Sequence, residues 1–354
     1  MVKKFTISND SSIYEAWPDV TLLPSGKMIC VFTECTHHGD RSYTRLVLTD
    51  SADRGCSWTQ KRPLTVATHG IPNYNNARIS RLKDGRLAII VDKICSEKRS
   101  IDNEQCKVVI YFSSDDGQSW SEEQETPIRG IVPDKLLEIE TGRWIIGVHI
   151  NDQEFGNLYQ RLYYSDDMGK TWSEPVIVGR REGLSLCEVS ILPLGNNTLV
   201  AFMRENSGQG MDCYKSISYD NGEHWSELIR FPLPGCHRPV AGLLNDGNIM
   251  ITYRFMQGGK GWLGSWTQNL FAALTDQESA LALKRNQAAT RIMPIDYDRS
   301  PKSDLGYSGW VQFPDGEIYI VNYIVDDAFD KGQIRGYAFN QSDFILADTE
   351  KPLK

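Results

Sequence analysis

The segment SSDDGQSW at residues 113–120 decides the fold, because its pattern Ser-x-Asp-x-Gly-x-x-Trp occurs four times in the chain. The other copies are SADRGCSW at 51–58, SDDMGKTW at 165–172 and SYDNGEHW at 218–225. Their tryptophans are 62, 52 and 53 residues apart. Such a spacing indicates a chain built from repeated structural units.

The residue types in each copy predict a tight hairpin. Asp accepts hydrogen bonds from the amides of the turn, Gly adopts the positive φ of the bend, and Trp covers the turn. Apolar strands precede the copies, as in KVVIYF at 107–112. A calcium loop is a poor alternative, since too few oxygen ligands follow the glycine. The four copies are therefore interpreted as structural.

A second kind of turn, a glycine between two apolar runs, marks six places. These are Gly26, Gly85, Gly142, Gly195, Gly247 and Gly316. Two hairpins per unit give a four-stranded antiparallel sheet, and such sheets close radially. The sequence therefore predicts an all-β, six-bladed β-propeller in a single domain over 1–354, with blades at about 11–68, 69–128, 129–182, 183–234, 235–300 and 301–354. Residues 3–8 alternate like a strand and are a candidate to close the last blade.

The fifth unit lacks the tryptophan turn. Its sequence TDQE at 275–278 has the spacing of a capping box, which predicts one short helix over 279–285. The glycines and two tryptophans of residues 260–266 suit either a loop over a sugar or packing of this blade.

Composition excludes several classes of protein. The chain has 354 residues, with 38 Lys+Arg against 46 Asp+Glu, so its formal charge of −8 argues against a nucleic-acid partner. Its first residues lack the apolar stretch of a secretory signal, and no run is long enough to span a membrane. A soluble, cytoplasmic protein is expected, with its oligomeric state open.

No cofactor or metal is expected. The eight cysteines are scattered without a Cys-x-x-Cys pair, which favours reduced thiols. The adjacent His37 and His38 point in opposite directions in an extended chain, and no third ligand follows at a zinc spacing.

Propeller geometry predicts which face holds the site. Both kinds of turn lie on one face, so the starts of the first strands and the ends of the second strands of the blades meet on the other. The strand starts carry Glu15, Arg78, Asp134, Glu188, His237, Arg238 and Tyr307. The strand ends carry Glu34, Asp92, Lys93, His149, Asn151, Asp152, Arg204, Glu205, Arg254, Tyr323 and Asp326, with Asp40 in the loop after the first. Ionisable groups crowded in this way favour acid–base chemistry.

The four tryptophan turns, in a chain of six units, resemble the Asp-box repeats of the sialidase superfamily over essentially the whole chain. In that family a Tyr nucleophile is activated by a Glu, an Asp is the acid/base, and three Arg bind the substrate carboxylate. The resemblance implies that Tyr307 is the nucleophile, in GYSGWVQFPDG at 306–316, and that Glu188 is its base, in CEVSILP at 187–193. It implies that Asp40 is the acid/base.

The same resemblance implies a carbohydrate partner held by arginines. Arg204 is similar to the second arginine of the family, and Arg238, Arg254 and Arg78 are the other candidates. The first arginine is missing, since AWP at 16–18 stands where the family has Arg-Ile-Pro. Glu15 and Trp17 suit a sugar hydroxyl and an apolar sugar face instead, and His149 is a further binding candidate.

The function implied is a sialidase-like exo-glycoside hydrolase acting on an acidic or modified terminal sugar. Three alternatives stay open. One is a polysaccharide lyase acting on a uronate, with His149, His237 or Tyr307 as its base. Another is a glycosidase that uses two carboxylates, such as Asp40 and Glu188. The third is a non-catalytic glycan-binding propeller.

Overall fold

The computed structural model describes residues 2–96, 106–209, 211–258, 266–327 and 330–344. Within these ranges the chain forms six antiparallel sheets with very little helix. The predicted all-β, six-bladed propeller is confirmed. Residues 259–265, with Trp262, lie outside the described ranges, so the prediction for residues 260–266 rests on sequence.

The first three blades follow one another along the chain after an N-terminal strand. The strands are β1 (Lys3–Ser8); β2 (Tyr14–Leu22), β3 (Met28–His37), β4 (Asp40–Ser51) and β5 (Arg62–Pro63); β6 (Asn73–Tyr74), β7 (Arg78–Arg81), β8 (Leu87–Ile94), β9 (Cys106–Ser113) and β10 (Gln124–Arg129); and β11 (Leu137–Glu138), β12 (Trp144–Asn151), β13 (Leu158–Ser165) and β14 (Val176–Gly179). In the second blade β6 and β7 both pair with β8, so its inner strand is split.

The last three blades repeat the arrangement. Their strands are β15 (Leu186–Gly195), β16 (Thr198–Glu205), β17 (Asp212–Ser218) and β18 (Ile229–Pro234); β19 (Cys236–Leu243), β20 (Ile249–Gly258), β21 (Trp266–Thr275) and β22 (Arg291–Tyr297); and β23 (Leu305–Gln312), β24 (Ile318–Ile324) and β25 (Gln333–Phe339). Strand β1 pairs with β25 in the order β1-β25-β24-β23, so the N-terminus supplies the fourth strand of the sixth blade.

The tryptophan turns have the predicted hydrogen bonds. In the first, Asp53 accepts from the amide of Ser57 at 2.9 Å, and the amide of Gly55 donates to the Ser51 hydroxyl at 2.8 Å. Gly55 has a φ of 84°, the left-handed conformation that favours glycine. The ring of Trp58 packs 6.1 Å from that of Tyr319 in the sixth blade. This turn therefore connects the first blade with the sixth.

A helix is present in the fifth blade, but its boundaries differ from those predicted. It is α1 (Gln277–Leu281), followed by a 3₁₀ turn at Arg285–Gln287. Asp276, not Thr275, caps it, since the Asp276 carboxylate accepts from the Ser279 amide at 2.6 Å. The Thr275 hydroxyl instead donates to the Ala289 carbonyl at 2.7 Å, across the loop that returns to β22.

The core is divided among the blade interfaces. Six clusters of buried apolar side chains each join two neighbouring blades, and the cluster between the sixth and first blades closes the ring. In that cluster Val20 and Phe32 of the first blade pack with Val321 and Ile334 of the sixth. The packing between blades fixes the inner strands β2, β7, β15, β19 and β23, which position the site.

In the described residues, no helix is long and apolar enough to cross a membrane.

Candidate active site

Four inner strands contain a β-bulge at the same place near their starts. The pairing register shifts between Ala16 and Asp19 in β2, Cys187 and Ser190 in β15, His237 and Val240 in β19, and Gly306 and Gly309 in β23. In each bulge one non-glycine residue has a left-handed φ: 54° at Trp17, 50° at Glu188, 50° at Arg238 and 52° at Tyr307. A bulge redirects a side chain, and such backbone strain concentrates at functional sites.

The bulges of β15 and β23 bring Glu188 and Tyr307 into contact. The Tyr307 phenol donates a hydrogen bond to Oε1 of Glu188. Nη1 of Arg204, from the end of β16, donates to the same oxygen at 2.7 Å. Oε2 of Glu188 is buried and has no hydrogen-bond partner in the part of the chain that the structure describes. Three residues that the sequence singled out therefore form one cluster.

The electrostatics of this cluster fix its protonation. Burial and the adjacent Glu188 carboxylate raise the pKa of Tyr307 above its ordinary value. Burial acts to raise the pKa of Glu188 as well, but the charges of Arg204 and Arg254 outweigh it and hold that pKa far below its ordinary value. At neutral pH the pair is therefore a neutral phenol donating to a carboxylate.

His149 supports Glu188 from β12. Its Nδ1 accepts a hydrogen bond from the Glu188 amide at 3.3 Å. Burial lowers the pKa of His149 to about 4 and that of His237 to about 2. Both rings are neutral at neutral pH. His149 therefore orients the base.

Arginines surround Tyr307. The guanidinium groups of Arg254 and Arg238 lie 5.4 and 5.6 Å from the centre of the Tyr307 ring. Arg78 is also buried, with Nη1 donating to the Ser308 carbonyl at 3.2 Å and Nε 3.5 Å from Asp19. The predicted arginines therefore do converge on one region.

Several donors of these arginines are left without a protein acceptor. Among the described residues, no hydrogen bond is made by Nε and Nη2 of Arg78, Nε and Nη1 of Arg238, Nε of Arg254 or Nε of Arg204. An unpaired donor on a buried cation is costly to the free protein. An anionic ligand that reached these buried donors would supply the missing acceptors.

Two predicted binding residues do not present a surface to a ligand. Glu15 is fully buried, and its Oε1 accepts from Ser8 at 2.6 Å and from Lys61 at 2.7 Å. It belongs to a structural ion pair in the first blade. Trp17 is only 3% exposed, and the Arg41 guanidinium lies 4.2 Å from its ring centre. The structure does not support a sugar-hydroxyl ligand at Glu15 or an open sugar platform at Trp17.

Asp40 is the first residue of β4, beside the tip of the first-blade hairpin. Its side chain is exposed and accepts a hydrogen bond from the Ser42 amide at 2.8 Å. No hydrogen bond or ion pair among the described residues joins it to Glu188, Arg204 or Tyr307. His37 pairs with Asp40, so the tip of the hairpin consists of His38 and Gly39. The acid/base role of Asp40 stays a prediction from the sequence.

Sequence reasoning overlooked Asp304. It lies three residues before Tyr307, and its carboxylate accepts from the phenols of Tyr14 at 2.5 Å and Tyr323 at 2.8 Å. His38 contacts it with Nδ1 at 2.6 Å. Its position only three residues before the candidate nucleophile is the sequence signal that could have identified Asp304 as a site residue.

Comparison with known proteins agrees with this architecture. Residues 93–320, more than half of the chain, match the family described as BNR repeat-like domain. No curated protein has a matching sequence. A protein of unknown function from Dyadobacter fermentans has a similar structure, with 19% identity and a TM-score of 0.75 over 95% of this chain and 98% of that one.

Two sialidase structures are also similar. A Hadza microbial sialidase has 14% identity and a TM-score of 0.71, covering 96% of this chain and 69% of its own. An intramolecular trans-sialidase from Ruminococcus gnavus, in complex with oseltamivir carboxylate, has 14% identity and a TM-score of 0.67, covering 95% of this chain and 96% of its own. At identities this low, the structural similarity shows a shared fold alone. The chain belongs to the BNR repeat-like family and has the six-bladed propeller of the sialidase superfamily.

Proposed function

We propose that this protein is a sialidase-like exo-glycosidase that hydrolyses the glycosidic bond of an acidic terminal sugar. The observation that carries the proposal is the hydrogen bond from the Tyr307 phenol to the Glu188 carboxylate, with Arg204 on the same carboxylate oxygen. A phenol is a weak nucleophile until a nearby base takes its proton. Glu188 is an anion placed to do so.

In the first step Oη of Tyr307 attacks the anomeric carbon while Glu188 takes the phenolic proton. The bond to the leaving oxygen breaks and a glycosyl–tyrosine intermediate forms. The oxygen of a water molecule then bonds to the anomeric carbon as the bond to Tyr307 breaks, and Glu188 returns its proton to Tyr307. A separate acid/base group gives a proton to the leaving oxygen in the first step and regains one from the water in the second. A neutral phenol avoids the repulsion that an anionic nucleophile meets from an acidic sugar.

The arginines define the class of sugar. Unpaired donors on Arg254, Arg238 and Arg78 suit a carboxylate on the substrate, because charge-assisted hydrogen bonds satisfy both partners. This local positive charge attracts an anion although the net charge of the chain is −8. Sialosides and uronides carry such a carboxylate.

A screen of aryl glycosides tests the proposal. Sialosides, uronides and neutral glycosides are incubated with the wild type, with Tyr307→Phe and with the control Tyr219→Phe, whose tyrosine is 60% exposed on the opposite face. We expect release of the aryl group from an acidic glycoside by the wild type and by Tyr219→Phe. Tyr307→Phe should lose at least about a thousandfold in kcat/KM.

Two results would contradict hydrolysis. An unsaturated product that absorbs in the near ultraviolet would indicate elimination by a lyase instead. Tight binding of an intact acidic glycan, with no release from any glycoside, would indicate a binding module.

A further inference from the structure

A second, partly exposed cluster joins the tip of the first-blade hairpin to Asp304, three residues before Tyr307. His38, at the turn between β3 and β4, places Nδ1 2.6 Å from Oδ2 of Asp304. The His38 side chain is 41% exposed and that of Asp304 is 17% exposed. The imidazole is therefore reachable from solvent, while its partner lies beneath it.

The surroundings of Asp304 fix the orientation of the imidazole. Burial acts to raise the pKa of Asp304, but His38, Tyr14 and Arg254 outweigh it and hold that pKa below its ordinary value. The carboxylate is therefore ionised and can only accept hydrogen bonds. Nδ1 of His38 must then carry the proton it shares with Asp304, which leaves Nε2 for exchange with a ligand.

Tyr323 connects this pair to the strand of the nucleophile, since its hydroxyl lies 3.5 Å from Nδ1 of His38 and its backbone pairs with Gly306, the residue before Tyr307. The His38 ring lies 5.4 Å from the Trp17 ring, which lies 6.1 Å from the Tyr323 ring. The Tyr307 side chain packs on the same apolar cluster as Trp17 and Tyr323.

Arg254 links the two clusters from the other side. Its guanidinium lies 5.4 Å from the centre of the Tyr307 ring, and its Nη1 donates at 3.3 Å to the carbonyl of Leu305, the residue after Asp304. Arg254 therefore bridges Tyr307 and the segment that carries Asp304, the partner of His38.

We propose that His38, oriented by Asp304, is the acid/base of the reaction, in place of Asp40. This inference rests on the proposed glycosidase function. In the first step Nε2 of imidazolium gives its proton to the leaving oxygen as Tyr307 bonds to the anomeric carbon. In the second step neutral Nε2 takes a proton from the attacking water, whose oxygen bonds to the anomeric carbon as the bond to Tyr307 breaks. Asp304 is a positioning residue, since it acts through His38.

The test compares two glycosides of one acidic sugar that differ in leaving group. A nitrophenyl group departs without much protonation, whereas an alkyl group requires a proton. Values of kcat/KM are measured for the wild type, His38→Asn, His38→Gln and Asp40→Asn. The control is His224→Asn, because His224 forms a similar pair with Asp220 at 2.7 Å but is 87% exposed in a tryptophan turn.

We expect both His38 variants to lose about a hundredfold or more on the alkyl glycoside and at least tenfold less on the nitrophenyl glycoside. Azide can replace water in the second step without the help of a general base. It should therefore speed turnover of the nitrophenyl glycoside by the His38 variants and by no other variant. His224→Asn should match the wild type, and thermal melting should show that the His38 variants are folded.

Three results would overturn the proposal. The first is an equal loss on the two glycosides, which indicates a merely structural role for His38. The second is the leaving-group pattern in Asp40→Asn but not in the His38 variants. The third is a wild type inactive on every glycoside, which removes the proposed function as well and is thereby distinguishable from the other two.

Discussion

The Tyr307 phenol and the Glu188 carboxylate, 119 residues apart in the sequence, meet in one hydrogen bond because each occupies the bulge of an inner strand. Both residues have a left-handed φ, of 52° and 50°. The same bulge in two blades therefore creates a pair that no continuous stretch of sequence contains.

Loss of the base should abolish activity without unfolding the chain. Glu188→Gln cannot take the phenolic proton, so we expect kcat to fall by about 10²- to 10⁴-fold. The matched control is Glu123→Gln. Like Glu188, Glu123 accepts hydrogen bonds from phenols, here Tyr74 at 2.7 Å and Tyr111 at 2.9 Å, but it lies in another blade. Equal activity of the two variants in steady-state assays would contradict the role of Glu188.

His149 should make stability depend on pH. Its pKa falls from an ordinary 6.5 to about 4 on burial, so between these values the unfolded chain binds a proton that the folded chain does not. Stability contributed by this group is present above about pH 6.5 and is lost as the pH falls towards 4. In His149→Gln the loss should be smaller.

Urea midpoints at about pH 7 and about pH 5 measure this difference. His69→Gln, at an exposed histidine, is the control and should follow the wild type. If the urea midpoint of His149→Gln falls between the two pH values by as much as that of the wild type, the His149 ring does not contribute.

Arg254 should discriminate acidic from neutral ligands. Hydrogen bonds to charged groups contribute about 1.5–3 kcal/mol, so Arg254→Gln should weaken binding of an acidic monosaccharide by about ten- to a hundredfold. Titration calorimetry with the acidic sugar and its neutral analogue separates this effect from general loss of fit. Arg54→Gln, on the face of the tryptophan turns, should bind both as the wild type does. Parallel loss for the two sugars would argue against a carboxylate at Arg254.

Two glycines with the same backbone conformation test the contact between the first and sixth blades. Gly55 and Gly26 have φ of 84° and 85°, so alanine strains the backbone equally at both. A Cβ at Gly55 would lie 2.1 Å from the buried Tyr319 ring, whereas a Cβ at Gly26 meets nothing within 4 Å. We expect Gly55→Ala to lose about 1–3 kcal/mol more than Gly26→Ala in the free energy of unfolding. Similar urea midpoints for the two variants would refute this contact.

Local turn chemistry made the fold predictable from sequence. The hydrogen bonds of Asp53 and the φ of Gly55 depend on residues within eight positions of each other, so the tryptophan turns are visible without tertiary information. Tyr307, Glu188 and Arg204 could be placed on one face for the same reason, because position within a repeat fixes position in the propeller.

Long-range contacts were not predictable. The sequence assigned Glu15 to the channel because it lies at the start of an inner strand, and it did not reveal the contact with Lys61, 46 residues away. His38 and Asp304 are 266 residues apart, so the sequence showed no sign of their contact, and Asp40 was assigned the acid/base role from the resemblance to the sialidase superfamily.

Covalent trapping tests the role of Tyr307 most directly. A fluorinated glycosyl fluoride of the acidic sugar that the wild type hydrolyses forms the intermediate quickly and releases it slowly. Proteolysis and mass spectrometry then locate the sugar. The expected result is one adduct on the peptide that contains Tyr307, absent in Tyr307→Phe. An adduct on a carboxylate such as Glu188, or inactivation of Tyr307→Phe at the rate of the wild type, would contradict it.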